Sequence, residues 1–227
     1  MMLVAVISLV GTVLLFLAMM TLHKKYPTPF LLPVLTTTFI ICILLVMFNI
    51  PYASYMEGAD WISKLLGPAI VGLAFPLYNQ RALIFRYKVT IISGLIVAMI
   101  AGLVSVFAFL KLGNASETYI LTAIPKSITT PVAMEISGSL GGISPMTVVL
   151  VMVAGFTGAF SAPLIFKICR IDSAISRGLS VGAASHGVGI SKLVDYGEQE
   201  VSIGSLSMGI SAVIGAFLCP LFVNLFM

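Results

Sequence analysis

The sequence has 227 residues, of which 59% are apolar and only 9% are charged. A soluble domain carries about a quarter charged residues, so this composition excludes an ordinary soluble enzyme or binding domain. The formal net charge is +4. The basic residues cluster in alternate loops between apolar segments, which is the pattern of a membrane protein, so no nucleic-acid partner is expected. We therefore expect an all-α integral membrane protein embedded in a lipid bilayer.

The first apolar segment is predicted to be a transmembrane helix rather than a signal peptide. No basic residue precedes it, and His23, Lys24 and Lys25 follow it. A secretory signal carries its positive charges on the other side. No transit-peptide pattern is present either, so we expect a multi-pass protein of the bacterial cytoplasmic membrane.

Hydropathy predicts six transmembrane helices, each with about 20 apolar residues, which is enough to cross a ~30 Å hydrocarbon layer. The predicted spans cover about residues 2–21, 30–50, 61–79, 88–110, 145–167 and 202–226. Basic residues cluster after the first, third and fifth spans. The positive-inside rule makes those loops cytoplasmic, which places both termini outside.

Two further segments, about 118–142 and 174–196, are too polar and too interrupted by Gly or Pro to be ordinary spans. All basic loops stay cytoplasmic if the first segment re-enters from the outside and the second from the cytoplasm. Irregular backbone at membrane depth is stable only where protein or an aqueous cavity surrounds it. We therefore predict six transmembrane helices plus two broken re-entrant helical segments packed in the interior.

A weak internal repeat relates these segments. With an offset of about 57 residues, Lys126–Thr130 aligns with Ala183–Gly187. The two units, about 88–142 and 145–196, would run in opposite directions across the membrane within a single domain over 1–227. Paired interrupted segments in inverted units are typical of the binding sites of secondary transporters. Identity between the units is low, so a chance similarity is the alternative.

The first broken segment contains the sequence IPKSITTPVAME, residues 124–135. Proline is favoured in the first turn of a helix, so Thr130 and Pro131 predict a half-helix from Pro131 to about Ser137. The N–H groups and the dipole at such a helix start attract anions.

The polar side chains of this segment are predicted to bind a small anion such as a carboxylate. The candidates are Lys126, Ser127, Thr129 and Thr130. Ionisable residues at membrane depth are costly and tend to mark function. In the alternative interpretation Lys126 extends to the membrane surface and the prolines only kink a helix. Glu135 either pairs with Lys126 or lies near the membrane surface.

The second broken segment contributes two candidate residues, Ser185 and His186. A histidine in the membrane can titrate near neutral pH, so His186 is a candidate for proton coupling as well as for solute binding. The alternative is a neutral histidine that is hydrogen-bonded for packing. Gly182, Gly187 and Gly189 allow either close backbone approach or a break in the helix.

Enzyme signatures are absent, and we expect neither catalysis nor a cofactor. Ser185 and His186 are not a catalytic pair, because adjacent side chains on a helix do not face each other. The three cysteines form no CxxC motif or His/Cys cluster, so neither a disulfide framework nor a metal site is expected. A third motif, LGPAIVGLAFPLYNQR at residues 66–81, contains two prolines and predicts a bent helix against the broken segments.

Together the stretches LGPAIVGLAFPLYNQR, PKSITTPVAMEISGSLGGI and RGLSVGAASHGVGISK resemble the LrgB/CidB family of bacterial membrane proteins. This family is related to the plastid glycolate/glycerate translocator. KYPTPFLLP at 25–33 looks closer to the CidB branch. The family commonly continues its histidine motif as HxxGTAKA, whereas Ile190 stands here in place of the threonine, which puts a ligand role at that position in doubt.

The resemblance implies two functions. One is transport of small monocarboxylates such as pyruvate, glycolate or glycerate, which the residues themselves favour. The other is a holin/antiholin-like regulator of murein hydrolase export and autolysis, acting with a small LrgA/CidA-type membrane partner. A homodimer is expected from the general frequency of two-fold assemblies.

Overall fold

The computed structural model describes residues 2–26, 28, 31, 33–65, 68, 71, 78 and 81–227. Every regular element in these residues is a helix or a 3₁₀ turn. Contacts divide the chain into two compact units, residues 1–69 and 70–227. The predictions of a single domain over 1–227 and of an inverted repeat remain predictions.

The first unit contains three helices: α1 (Met2–Lys25), α2 (Pro33–Met47) and α3 (Tyr52–Ser63). Helix α2 ends just before Asn49, whose φ of 50° is a left-handed conformation that Asn tolerates well. The hydroxyls of Thr12 and Tyr55 are 3.0 Å apart. The backbones of α1 and α3 pack closely, because Gly58 has no Cβ to collide with the Ala5 carbonyl.

The second unit contains the remaining helices. They are α4 (Arg81–Arg86), α5 (Lys88–Leu112), α6 (Glu117–Ala123), α7 (Thr130–Ser139), α8 (Ser144–Ile168), α9 (Ala174–Leu193) and α10 (Glu198–Phe226). A 3₁₀ turn at Ile124–Ser127 follows α6 directly.

Four helices of the described residues are long and apolar enough to cross a membrane: Ala5–Lys25, α5, α8 and α10. They correspond to the first, fourth, fifth and sixth predicted spans. The second predicted span contains the shorter apolar helix α2. Most of the third span and of the motif at 66–81 lies outside the described residues. The prediction of an all-α, multi-pass membrane protein is confirmed.

The first broken segment is a helical hairpin. One arm is α6 with its 3₁₀ turn, and the other is α7. Between them Ile128 and Thr129 have extended backbone, which reverses the chain. Thr147 holds the two arms together, because its Oγ1 donates to the Thr122 carbonyl at 2.9 Å and is hydrogen-bonded to the Ser137 hydroxyl at 2.7 Å. We call this segment, Glu117–Ser139, the first hairpin.

The second broken segment, α9, also folds back on itself. The backbone at His186 is non-helical, with φ 47° and ψ −142°. A Cβ placed at Gly189 would lie 2.7 Å from the Val181 side chain, a contact that a straight helix cannot make. A Cβ placed at Gly204 on α10 would lie 2.8 Å from the Leu193 side chain and 3.6 Å from the Gly178 carbonyl oxygen. Gly178 and Leu193, near the two ends of α9, therefore approach the same point of α10. We call α9 the second hairpin.

The two hairpins lie at opposite ends of α8, which is roughly 37 Å long. The first hairpin is bonded to the start of α8, where the Ser144 hydroxyl donates to the Met134 carbonyl at 3.0 Å. The second is anchored near its end, where the rings of Phe166 and Tyr196 pack edge to face at 5.5 Å. The hairpins therefore enter the unit from opposite sides. Their assignment to the outside and the cytoplasm remains a prediction.

Candidate functional site

The tips of the two hairpins meet inside the second unit. The 3₁₀ turn of the first hairpin contacts α5, α8, α10 and the second hairpin. The backbone of Ser127 lies beside the His186 ring, and Lys126 is close enough to interact electrostatically with it. The structure thus brings Lys126 and Ser127 of the first hairpin next to His186 of the second. Their role as a binding site remains a proposal.

The junction of the tips lies at the middle of the long helices. A Cβ at Gly102, near the centre of α5, would be 3.5 Å from Ser127 Oγ. Near the centre of α8, a Cβ at Gly155 would be 3.3 Å from the Ser185 carbonyl oxygen. Because the long helices have the length of a membrane span, the tips meet near the midplane of the bilayer.

Lys126 occupies the first tip as a half-buried cation. Its ammonium donates to Ser127 Oγ at 3.3 Å, and it forms no ion pair with any residue that the structure describes. Glu135 is exposed on α7 and does not pair with it. Its predicted place near the membrane surface remains a prediction.

The half-helix predicted to begin near Pro131 is α7, which starts at Thr130 and ends at Ser139. Thr129 precedes it as the N-cap residue, is 9% exposed, and makes no capping bond with its side chain. The hydroxyl of Thr129 and the start of the helix dipole both lie at the tip, next to Lys126. Such a helix start favours negative charge.

His186 forms the second tip and is 4% exposed. Neither ring nitrogen has a hydrogen-bond partner, because the nearby Ser127 backbone does not reach hydrogen-bonding geometry. A buried polar group without a partner is unusual and suggests a ligand or a water at that place. The positive φ is equally unusual for a residue with a side chain, and such strain clusters at functional sites.

Ser185 is placed differently from the other predicted site residues. It is 3% exposed, and its side chain occupies the space left by the missing Cβ of Gly158 on α8. Gly187 has open space around its Cβ position, whereas Gly182 is pressed against the Gly204 carbonyl and Ser207 of α10. The glycines therefore allow close helix packing, and the break itself falls at His186.

Ser211 on α10 was missed by the sequence analysis. It is 0% exposed, and its hydroxyl has no partner. Among the described residues of the second unit, Ser211 and His186 are the two whose buried side-chain polar atoms lack partners. A lone serine inside an apolar span gives no sequence signal, because such serines usually bond to their own helix.

One cavity away from the predicted site lies in the first unit. It has a volume of about 540 Å³ and mainly apolar walls from α1, α2 and α3, with hydroxyl groups from Thr12, Thr37 and Tyr55. It contains no charged residue and does not include the predicted site. The described residues also contain no group of three or more His, Cys, Asp or Glu side chains that could hold a metal ion.

Comparison with known proteins gives the family. The model of the LrgB-like family matches residues 12–225. The chain belongs to the LrgB-like family. Among members of this family, "Holin-like protein CidB" of Staphylococcus aureus (strain N315) is 34% identical over 222 residues, covering 98% of this chain and 97% of the relative. The predicted resemblance to the LrgB/CidB family is thereby confirmed.

Other relatives extend the comparison within the LrgB-like family. "Uncharacterized protein YxaC" of Bacillus subtilis (strain 168) is 47% identical over 223 residues, covering 98% of this chain and 97% of the relative. "Uncharacterized protein YwbG" of the same strain is 31% identical over 219 residues, with 96% and 97% covered. No solved structure matches the chain. The family and the membrane-spanning helices together identify a multi-pass bacterial membrane protein.

Proposed function

We propose that this protein transports small monocarboxylates such as pyruvate, glycolate or glycerate, and that the solute binds where the hairpin tips meet. The observation that carries the proposal is Lys126, a cation without an ion pair among the described residues, at the start of α7 near the membrane midplane. A cation kept there without a counter-charge is costly. An anionic solute would supply that charge.

The proposed roles follow from the positions of the side chains. Lys126 and the start of α7 bind the carboxylate, assisted by the hydroxyls of Ser127, Thr129 and Thr130. His186 contacts the solute from the second hairpin and is the candidate for proton coupling. Ser185 supports the second tip through its packing against α8. Neither a cofactor nor a catalytic step is part of the proposal.

The second candidate is a holin-like function, and the names of the relatives favour it. Several relatives at 32–34% identity are named "Holin-like protein CidB". These names support a holin-like function more directly than the geometry of the site supports transport. In this case the hairpins would form a pore or a regulatory surface in the control of autolysis. A small LrgA/CidA-type membrane partner belongs to this second candidate, and a homodimer is proposed for either function.

Uptake by purified protein in liposomes tests the transport proposal. Radiolabelled pyruvate and glycolate are supplied with and without a pH gradient to wild type, Lys126→Met, Lys126→Arg and His186→Gln at matched incorporation. Lys126→Met keeps the apolar stem and deletes the charge. It should weaken binding by about tenfold to a hundredfold, the equivalent of roughly 1.5–3 kcal/mol for a charge-assisted hydrogen bond.

The other variants separate the roles of the two tips. Lys126→Arg should restore uptake only in part, because the guanidinium is larger and planar. His186→Gln keeps hydrogen bonding but cannot titrate, so binding should persist while the pH dependence of uptake flattens. Full uptake by Lys126→Met would refute the anion site. Leakage of every small solute, unchanged by these substitutions, would favour the holin-like alternative.

A further inference from the structure

Ser211 is a buried donor and acceptor that no group in the described part of the chain satisfies. Its hydroxyl has no partner, although most serines in helices bond to a carbonyl of the preceding turn. One turn earlier on α10, Ser207 does this, and its hydroxyl donates to the Ile203 carbonyl at 2.7 Å. Both serines are 0% exposed, so the difference between them is the missing bond at Ser211.

The packing of α10 places Ser211 at the junction of the two tips. Ser207 faces Gly182 of the second hairpin, with 2.8 Å between Ser207 Cβ and a Cβ built at Gly182. On the other side, Gly215 meets the Ile128 side chain at the first tip. Ser211 is one helical turn from each of these residues and therefore on the same face of α10. It lies between the two hairpins.

The register of the second hairpin puts His186 at the same level. Gly178 is opposite Ile203, and Gly182 is opposite Ser207, so the first arm of the hairpin runs parallel to α10. One turn further on, where the helix breaks, this register places the backbone of His186 at the level of Ser211. The two residues of this unit with unsatisfied buried side chains therefore lie at the same level along α10.

We propose that Ser211 is a solute-contacting residue that determines specificity. Lys126 lies at the first tip and attracts the carboxylate, whereas the Ser211 hydroxyl and the His186 imidazole are free to hydrogen-bond another part of the solute. A hydroxyl and an imidazole N–H can hydrogen-bond to a hydroxyl or carbonyl oxygen. Ser211 therefore selects acids that carry an oxygen on the carbon next to the carboxylate over unsubstituted acids.

A role in solute binding also explains why the Ser211 hydroxyl lacks a protein partner. A buried group left unpaired is destabilising, and a solute that hydrogen-bonds to it recovers that cost on binding. Ser211 should therefore reduce stability slightly and increase selectivity. A serine kept only for packing would leave the selectivity unchanged. This inference rests on the proposed transport function.

The test compares two acids that differ by one oxygen, 2-hydroxypropionate and propionate. Uptake into liposomes is measured for wild type, Ser211→Ala and Ser207→Ala, and thermal melts in detergent are recorded with each acid. Wild type should prefer the hydroxy acid. Ser211→Ala should reduce that preference by about three- to tenfold, as loss of one neutral hydrogen bond implies, and should melt no lower than wild type.

Ser207→Ala is the matched control, because it removes a buried hydroxyl from the same face of α10 that is already bonded to its own helix. It should keep the preference of wild type. Ser211→Thr, which retains the hydroxyl, should keep it too and gives a second variant if Ser211→Ala folds poorly. An unchanged preference in Ser211→Ala, or wild-type uptake of both acids without preference, would overturn the inference alone. Uptake of neither acid by wild type would overturn the transport proposal as well.

Discussion

The guanidinium of Arg177 lies 5.0 Å from the ring centre of Tyr196. In a straight α-helix these two positions would be roughly 28 Å apart. Arg177 also donates from Nε to the Ile171 carbonyl at 2.8 Å, and its guanidinium is 5.7 Å from the Phe166 ring. Arg177 thus joins the beginning of the second hairpin to the chain just after its end, and it closes the hairpin at the base.

Replacing Arg177 should open the base of this hairpin. Arg177→Ala loses the contacts with Tyr196 and Phe166 and a charged hydrogen bond, so we expect the free energy of unfolding to fall by roughly 2 kcal/mol. Thermal melting in detergent measures the effect. Arg170→Ala is the control, because it removes an exposed charge nearby. Equal melting temperatures for the two variants would show that Arg177 does not hold the hairpin.

In an ordinary helical position alanine is more stabilising than glycine, and the strained backbone at His186 should reverse that order. Its φ and ψ, 47° and −142°, lie in a region that L-residues rarely adopt, at a cost of about 1–3 kcal/mol. His186→Gly should therefore be more stable than His186→Ala by about 1 kcal/mol. At Ala184, an exposed helical position of the same hairpin, Ala184→Gly should lower stability instead. Melting temperatures of all three variants measure this order. A higher melting temperature for His186→Ala than for His186→Gly would contradict the strained backbone at the tip.

Two glycines of the second hairpin should differ in their tolerance of a methyl group. A Cβ at Gly182 would collide with the Gly204 carbonyl on α10, a backbone atom that cannot easily move. Gly182→Ala should therefore cost about 1–3 kcal/mol. Gly187 has nothing within 4 Å of its Cβ position, so Gly187→Ala should be neutral or stabilising by up to about 1 kcal/mol. Expression yield and melting temperature compare the pair directly, and similar losses at both positions would refute the close packing of α9 on α10.

The sequence was informative about the broken segments because membrane physics restricts polar and irregular backbone so strongly. Lys126, Pro131 and the surrounding hydroxyls predicted an interrupted helix and its start within one residue of the observed Thr130. The charged loops predicted that the two segments enter from opposite sides, and the contacts at both ends of α8 agree. These features follow from composition and local propensity alone.

Other features depend on distant contacts and could not be predicted in this way. The glycines around His186 indicated a break, yet the break falls on the histidine, because Gly182 and Gly189 are needed where helices touch. Ser211 looks like any serine in an apolar helix until its missing partner and its neighbours across the packing are known. Such residues are defined by which helices face each other, and that information is not local in the chain.

The contact between Ile128 and Gly215 has a consequence for biosynthesis. Ile128 is 0% exposed, and the surface of α10 at Gly215 covers part of its side chain. While the ribosome is still making the chain, the first hairpin leaves it long before α10 exists. During that interval the polar backbone of the tip has no complete protein surroundings, and a lone hairpin of this kind is unstable in lipid. The first hairpin therefore reaches its final depth only after the last helix has been inserted, which makes α10 the element that completes assembly.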